Sequence, residues 1–175
     1  MIRDKVLLLI KISKKNNLNI SVAESCTGGL LSSSIIEIPG ASDIFNSGFV
    51  TYSNIAKIKH LGVNKDIVKK FGAVSNETSL AMAKGLYKIS KSNLIVSITG
   101  VAGPGGGTLK NPVGTVYFTF GVRQNKKTIT YSTYRHNFKS KNRVGIQKKS
   151  VNYVLDKFIE IATVSYTHLR AHETS

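Results

Sequence analysis

The sequence predicts a single α/β domain, and three observations support this fold class. Stretches with helical spacing of apolar residues alternate with short apolar runs that have the length of strands. One such run, 18–22, leads through a polar and glycine-rich turn, 23–29, into a second apolar run, which is the order strand, turn, helix. The 175 residues, 41% of them hydrophobic, are enough to build one core.

Each predicted element depends on a local pattern. Apolar residues at helical spacing predict helices, whereas apolar, β-branched or aromatic runs predict strands. Capping residues, together with Pro39, Gly40 and Gly62, indicate where helices begin and end. In chain order, the predicted elements are helix 2–16, strand 18–22, helix 30–37, strand 48–52, helix 55–61, helix 64–71, helix 76–88, strand 93–99, an antiparallel hairpin of strands 112–122 and 128–136 with its turn at 124–127, and helix 139–161.

Composition limits the classes of function. The net charge of +16, from 25 basic and 9 acidic residues, attracts anionic ligands and suggests nucleic acid as one candidate partner. The lysines are scattered, however, and no aromatic residues alternate with them in an RNA-binding pattern, so nucleic acid is not the expected partner. No apolar run is long enough to span a membrane. A single cysteine, Cys26, excludes an internal disulfide and fits a cytoplasmic location.

The turn 23–29 is the first candidate site. It contains Ser25, Cys26 and Thr27, three side chains that can act as nucleophiles, followed by two glycines. Backbone N–H groups and the dipole at the start of a helix favour anions and developing oxyanions. The alternative interpretation is structural, because serine and threonine are common N-cap residues and a pair of glycines lets a helix pack closely on a sheet.

Lys57 is the second candidate, because the pattern places it in the first turn of a helix that follows a strand. The positive end of the helix dipole disfavours a cation there, and burial would lower the lysine pKa further. A neutral lysine amine is suited to act as a general base. The alternative is an ordinary solvated surface lysine.

The glycine-rich stretch 100–108 follows a strand that is predicted to be buried. Glycines let backbone N–H groups approach a phosphate or carboxylate, because no Cβ is in the way. The stretch has neither the Gly-Lys-Ser/Thr of a Walker A loop nor the following helix of a dinucleotide-binding fingerprint. A ligand-binding loop and a flexible surface loop both remain compatible with it.

The last residues, 164–175, differ in character from the rest of the chain. They have no core pattern and include two of the four histidines, His168 and His172. We interpret them as a tail foreign to the domain, which occupies 1–163, and exclude the two histidines as a metal pair.

Four stretches, taken together, resemble the CinA C-terminal domain family, whose active members are nicotinamide-nucleotide amidases. The resemblance covers about residues 2–162. The stretches that carry it are Ala-Glu-Ser-Cys-Thr-Gly-Gly at 23–29, Gly-Phe-Val-Thr-Tyr-Ser-Asn at 48–54 with Ala-Lys at 56–57, Gly-Ala-Val-Ser at 72–75, and the glycine-rich 99–106 with Pro-Val-Gly-Thr-Val at 112–116.

This resemblance implies a three-layer α/β/α sandwich with a mixed sheet, in the stand-alone form without the family's pyrophosphatase domain. It implies hydrolysis of nicotinamide mononucleotide to nicotinic acid mononucleotide and ammonia, without metal or other cofactor, by a homo-oligomer such as a dimer. The family match places the catalytic serine at Ser25 and the lysine at Lys57, with Tyr52 assisting proton movement. We expect an acyl-enzyme mechanism with Ser25 as nucleophile and Lys57 as base.

The expected substrate contacts come from three parts of the chain. Backbone N–H groups of the turn 26–28 would form the oxyanion hole, the loop 100–107 with Thr108 would hold the ribose-phosphate, and Arg143 would add charge for the phosphate. The predicted substrate-binding residues are Cys26, Thr27, Gly28, Gly29, Thr99, Gly100, Ala102, Gly103, Gly105, Gly106, Thr108 and Arg143.

One departure from the family pattern leaves alternatives open. Members of the family usually carry Gly-Asp-Arg followed by a second arginine, whereas this chain has Lys-Asn-Arg at 141–143 and Gln147 in the second arginine's place. A protein that binds a pyridine nucleotide without turnover, with a role in competence or damage response, is one alternative. A basic nucleic-acid-binding domain and an enzyme with Cys26 as nucleophile are the others.

Overall fold

The computed structural model describes residues 1–125 and 128–173, with side chains described through 164. The helices are α1 (Ile2–Lys15), α2 (Leu30–Ile36), α3 (Asn54–Leu61), α4 (Lys65–Phe71), α5 (Asn76–Ser90) and α6 (Arg143–Glu173). The strands are β1 (Ile20–Glu24), β2 (Phe45–Val50), β3 (Leu94–Gly100), β4 (Thr115–Arg123) and β5 (Ile129–Asn137).

The strands form one five-stranded mixed sheet in the order β2-β1-β3-β4-β5. Strand β1 lies parallel to both β2 and β3, whereas β4 is antiparallel to β3 and to β5. The last residue of β1, Glu24, is opposite Val50 of β2 and Ile98 of β3. The carboxyl ends of three parallel strands therefore meet at one edge of the sheet, where α/β proteins commonly bind ligands.

Helices cover both faces of this sheet and confirm the predicted three-layer α/β/α sandwich. On one face, α1, α2 and α6 pack against one another and enclose a core that includes Leu9, Leu31 and Phe158. On the other face, α3 and α4 pack on α5 around Leu61, Met82 and Leu86, which are buried with residues of β1 and β3.

The structure shifts several predicted boundaries. Strand β1 begins at residue 20 rather than 18 and includes Glu24, because residues 20–24 pair with both neighbouring strands. Strand β2 covers 45–50 rather than 48–52. Strand β4 begins at Thr115, because Gly114, with a φ of 96°, takes part in a turn in which Thr115 N–H donates to the Pro112 carbonyl.

Helix α6 differs most from its predicted span of 139–161. It begins at Arg143, where the side chain of Asn142 accepts a hydrogen bond from the Gly145 N–H at 2.9 Å, as an N-cap does. It continues to Glu173, past the predicted end. The side chains after 164 lie outside the described part of the chain, so the foreign tail remains a prediction. The predicted hairpin turn includes Lys126 and Lys127, which also lie outside it.

The described backbone covers residues 1–125 and 128–173. Within these ranges no helix has the length and apolar character needed to cross a membrane. Among the described side chains, those of residues 1–125 and 128–164, no group of three or more His, Cys, Asp or Glu is arranged to hold a metal ion.

Candidate active site

A cavity of about 310 Å³ lies at the edge where β1, β2 and β3 end. The segments that follow these strands form its walls, together with the loop before α5 and the first turn of α6. Its lining residues are Ser25, Cys26, Tyr52, Asn54, Lys57, Ala73, Val74, Thr99, Gly100, Val101, Ala102, Gly103, Gly105, Gly106 and Arg143. Its volume suits a small-molecule ligand.

Ser25 and Lys57 meet at the base of this cavity. Ser25 directly follows β1, where its N–H donates to the Ile98 carbonyl of β3 at 3.0 Å and fixes the start of the turn. Lys57 reaches the serine from α3, whose N-terminus is capped by the Ser53 side chain, and its Nζ lies 2.9 Å from Ser25 Oγ. Only 6% of Ser25 and 1% of Lys57 are exposed, so solvent does not separate the two groups.

The buried surroundings of Lys57 favour a neutral amine. Besides Ser25 Oγ, its Nζ contacts the backbone carbonyl oxygens of Thr51 at 3.0 Å and Tyr52 at 3.4 Å. An ammonium could donate to all three oxygens, whereas a neutral amine can donate to the two carbonyls and direct its lone pair at the serine hydroxyl. No carboxylate forms an ion pair with Lys57 in the part of the chain that the structure describes. Burial without such a partner lowers the pKa of Lys57.

The N-terminus of α2 is already occupied, contrary to the expectation that it would face an anionic ligand. The buried carboxylate of Glu24 accepts hydrogen bonds from the N–H groups of Gly29, Leu31 and Ser32, and from the Ser32 hydroxyl. Because these donors are used within the protein, the helix end is not available to a substrate. Glu24 instead fixes the turn between β1 and α2.

Among the backbone N–H groups of the turn, that of Cys26 remains a candidate for an oxyanion hole. Gly28 N–H, which we also expected to contribute, donates to the Ser25 carbonyl at 3.0 Å. The N–H groups of Cys26 and Thr27 donate to no backbone carbonyl among the described residues. Cys26 immediately follows Ser25, which is the position from which a hydrolase commonly stabilises the oxyanion, and it lines the cavity, whereas Thr27 does not.

Cys26 is unsuited to be the nucleophile. Its side chain is 4% exposed and belongs to the hydrophobic core beneath the turn. Burial raises the pKa of its thiol to about 12, although a backbone hydrogen bond at Cys26 and the nearby Lys57 and Arg143 side chains oppose this shift. A thiol with that pKa is protonated near neutral pH and has little nucleophilic thiolate.

The glycine-rich wall is fixed to the loop before α5 by two side chains. Thr99 Oγ1 donates to the Ala73 carbonyl at 2.7 Å, and Asn111 Nδ2 donates to the Val74 carbonyl at 2.8 Å. A Cβ at Gly100 would lie 2.6 Å from the carbonyl oxygen of Thr115, so only glycine fits where the wall leaves β3. These contacts hold the loop in place as a wall of the cavity, close to the cavity base.

The first turns of α6 reach the cavity through Arg143 and Gln147. Arg143 donates to the Gly103 carbonyl at 2.8 Å and to the Tyr52 hydroxyl at 2.9 Å, so it bridges two walls. Gln147, one helical turn later, donates from Nε2 to the Cys26 carbonyl at 2.9 Å. The Tyr52 side chain is 61% exposed, and its hydroxyl contacts Arg143, whereas its carbonyl contacts Lys57.

The comparison with known sequences decides the family. A profile described as the CinA C-terminal domain matches residues 4–162, which is most of the chain. The chain belongs to the CinA C-terminal domain family. This confirms the resemblance found in the sequence.

Individual CinA relatives show the same relationship. A CinA-like protein of Kosmotoga olearia is 49% identical over 121 residues, which are 69% of this chain and 29% of that relative. A CinA-like protein of Fervidobacterium nodosum is 56% identical over 102 residues, which are 58% of this chain and 25% of that relative. The chain thus spans less than a third of the length of these curated relatives.

Solved structures of the CinA superfamily have the same fold. The competence/damage inducible protein CihA from Agrobacterium tumefaciens superposes with a TM-score of 0.85 at 36% identity, covering 91% of this chain and 94% of that one. A competence or damage-inducible protein from Enterobacter asburiae gives 0.85 at 27% identity, covering 93% and 98%. Their names refer to induction by competence or damage and specify no chemical reaction.

Within this CinA domain, most of the residues predicted for the site line one cavity, but four do not. Gly28 and Gly29 shape the turn from behind, and the Thr27 hydroxyl is buried without a hydrogen-bond partner among the described residues. Thr108 is exposed, and its Oγ1 accepts a hydrogen bond from the Asn111 N–H. The cavity is therefore lined by glycines of the loop and not by the Thr108 hydroxyl.

Sequence reasoning did not assign several residues that shape the site. Asn54, Ala73, Val74 and Val101 line the cavity, and Glu24 holds the turn. All five residues lie within the motif stretches, and this was the one sequence feature that could have indicated a role in the site. Their roles depend on contacts between segments that are far apart in the chain, so no local pattern reveals them.

Proposed function

We propose that this CinA domain hydrolyses the carboxamide of nicotinamide mononucleotide, releasing ammonia and nicotinic acid mononucleotide. The observation that carries the proposal is the buried pair of Ser25 Oγ and Lys57 Nζ, 2.9 Å apart at the base of a cavity. An amide needs a nucleophile, a base and donors for the oxyanion, and this cavity offers candidates for all three.

The reaction begins with attack of Ser25 Oγ on the carboxamide carbon, while neutral Lys57 takes the hydroxyl proton. The tetrahedral oxyanion accepts a hydrogen bond from the N–H group of Cys26, which lines the cavity next to Ser25 in the chain. The resulting ammonium of Lys57 returns the proton to the leaving nitrogen, and ammonia departs from a nicotinoyl ester of Ser25. Water then attacks this ester, Lys57 takes its proton and passes it to Ser25 Oγ, and the acid is released.

The cavity walls favour an anionic substrate. Arg143 has five N–H donors, of which two are used by Gly103 and Tyr52 and three remain for a phosphate. The net charge of +16 raises the rate at which anions encounter the protein. Tyr52 supports this arrangement through its contact with Arg143, and its carbonyl helps to orient Lys57.

Ammonia release from nicotinamide mononucleotide tests the proposal. We expect turnover by the wild type and its loss, by a factor on the order of 10³ or more, in both Ser25→Ala and Lys57→Ala. Lys57→Arg is a sharper variant, because a guanidinium keeps the positive charge but has no lone pair to accept a proton. Lys59→Ala, an exposed lysine on the same helix, is the matched control and should retain full activity. Nucleotide binding without turnover by the wild type would contradict the amidase and favour a binding protein.

A further inference from the structure

We propose that Asn54 is a specificity-determining residue of the cavity, and that its side-chain amide binds the ribose hydroxyls of a nucleotide. Asn54 lines the cavity and is exposed. Within the part of the chain that the structure describes, its side chain forms no hydrogen bond. The inference rests on the proposed function for the identity of the nucleotide, and it adds the group that recognises the sugar.

Asn54 differs from the other polar side chains that line the cavity. Those that already form hydrogen bonds within the protein are Ser25, Tyr52, Lys57, Thr99 and Arg143. Arg143 has further N–H groups for a ligand, but a guanidinium has no acceptor. The amide of Asn54 has both an acceptor, Oδ1, and a donor, Nδ2, and no described residue uses either of them. A ligand can therefore bind to both ends of this amide.

The start of α3 does not need the Asn54 side chain. Asn54 is the first residue of this helix, and the N-cap before it is Ser53, whose hydroxyl accepts from the Ala56 N–H at 3.0 Å. Asparagine is favoured at caps because its side chain can bind nearby backbone groups, and it is a weak helix former elsewhere. Here the amide makes no such local bond. The capping of α3 thus leaves the Asn54 amide available to a ligand.

The position of Asn54 relative to Lys57 determines which part of the substrate it meets. The two residues are three apart on α3, so they lie one turn apart on the same face of the helix. Lys57 is 1% exposed at the base of the cavity, whereas Asn54 is exposed and lies toward the mouth. With the carboxamide at Ser25, Asn54 lies beside a part of the nucleotide farther from the reacting carbon.

Of the outer groups of the nucleotide, the ribose matches the amide best. The phosphate offers acceptors, and Arg143 has three N–H groups left for them. The pyridine ring carbons offer no strong hydrogen-bonding group. Two neighbouring ribose hydroxyls offer a donor and an acceptor together, so one can donate to Oδ1 while the other accepts from Nδ2. A site with such groups discriminates against ligands that lack the hydroxyls.

Binding measurements with altered protein and altered ligand test this contact. Nicotinamide mononucleotide, and its analogues without the 2′- or the 3′-hydroxyl, are titrated by calorimetry into Ser25→Ala, which prevents turnover, and into Ser25→Ala with Asn54→Ala. We expect Asn54→Ala to weaken binding of the complete nucleotide about tenfold. For at least one analogue the loss should be about threefold or less, because the hydroxyl that the amide binds is already absent.

Asn76→Ala is the matched control. Asn76 is also the first residue of a helix after a serine N-cap, since Ser75 accepts from the Thr78 N–H at the start of α5. It is likewise exposed but does not line the cavity. We expect Asn76→Ala to bind all three ligands as tightly as its parent does. In proteins with Ser25 intact, Asn54→Ala should raise KM about tenfold with kcat nearly unchanged, and Asn76→Ala should change neither.

The outcomes are distinct. Binding that depends on both Asn54 and a ribose hydroxyl, without ammonia release by the wild type, would support this inference and overturn the proposed reaction. Equal weakening of all three ligands by Asn54→Ala would overturn the inference, because the amide would then contact the phosphate or the ring. Unchanged affinity in Asn54→Ala, or an equal loss in Asn76→Ala, would also overturn it. A wild type that neither binds nor hydrolyses the nucleotide would overturn both proposals.

Discussion

The carboxylate of Glu24 accepts hydrogen bonds from both the backbone N–H and the hydroxyl of Ser32, at 2.8 and 2.7 Å. With the N–H groups of Gly29 and Leu31, this makes four donors on one fully buried side chain. A residue at the end of a strand thus caps the helix that follows the nucleophile turn. The stability of this turn therefore depends on the Glu24 carboxylate, which accepts all four of these hydrogen bonds.

We predict that Glu24→Gln destabilises the fold. The substituted amide brings its own donor against backbone N–H groups, so at least one buried donor loses its acceptor, at a cost of about 1–3 kcal/mol. Urea denaturation measures the change in the free energy of unfolding. Glu37→Gln is the matched control, because its ion pair with Arg3 is exposed and contributes less than about 1 kcal/mol. Equal stability of Glu24→Gln and wild type would contradict this role.

We predict that kcat rises with pH through the ionisation of Lys57. Burial lowers the pKa of this amine below its ordinary value of 10.5, and the amine is a base only when deprotonated. A profile of kcat at saturating substrate should therefore show one rising limb with an apparent pKa below 10.5. A rate that is independent of pH, or that falls as pH rises toward that value, would exclude Lys57 as the base.

The same pKa predicts a pH-dependent stability. Between the lowered pKa and 10.5 the unfolded chain binds more protons at Lys57 than the folded chain does, so folding becomes more favourable as pH rises. Lys57→Met removes this group. The free energy of unfolding of Lys57→Met, minus that of the wild type, should be highest at pH values below the lowered pKa. This difference should decline as pH approaches 10.5, by about 1.4 kcal/mol for each unit by which the pKa is lowered. Thermal or urea unfolding across this pH range measures it, and a constant difference would argue against a lowered pKa.

We predict that Cys26→Ala keeps its turnover. The thiol is protonated because burial raises the pKa of Cys26 to about 12, so it contributes packing and not reactivity. The variant should lose about 1 kcal/mol of stability from the small cavity it leaves, with kcat nearly unchanged. The wild-type thiol should also resist alkylation while the protein is folded. Loss of turnover in a folded Cys26→Ala would restore the cysteine as nucleophile.

We predict that Arg143→Ala acts mainly on KM. It removes the charged donors that face the cavity, and loss of a charge-assisted hydrogen bond should raise KM on the order of tenfold to a hundredfold. Tyr52→Phe leaves Arg143 with its Gly103 contact and should have a smaller effect on KM. Steady-state kinetics separates the two parameters. A large fall in kcat for Tyr52→Phe would show that the hydroxyl takes part in proton transfer.

Much of the fold followed from local patterns in the sequence. The helical spacing of apolar residues in α1 matches its buried face, since Val6, Leu9 and Ile10 lie in the core. Ser53 caps α3, as the capping preference of serine favours, and the predicted hairpin is present as the antiparallel strands β4 and β5. These features depend on residues that are close in the chain, so periodicity and capping preferences indicate them.

The sequence by itself determined the family, the order of helices and strands, and the candidates Ser25 and Lys57. Only the tertiary structure decided that Lys57 is buried beside Ser25, since this requires the parallel pairing of β1 with β2 and the return of α3 to the cavity. It also assigned Glu24 to the helix end, and Gln147 to the Cys26 carbonyl 121 residues away. Local sequence cannot encode these contacts, because burial and hydrogen bonding between distant segments arise only when the sheet has assembled.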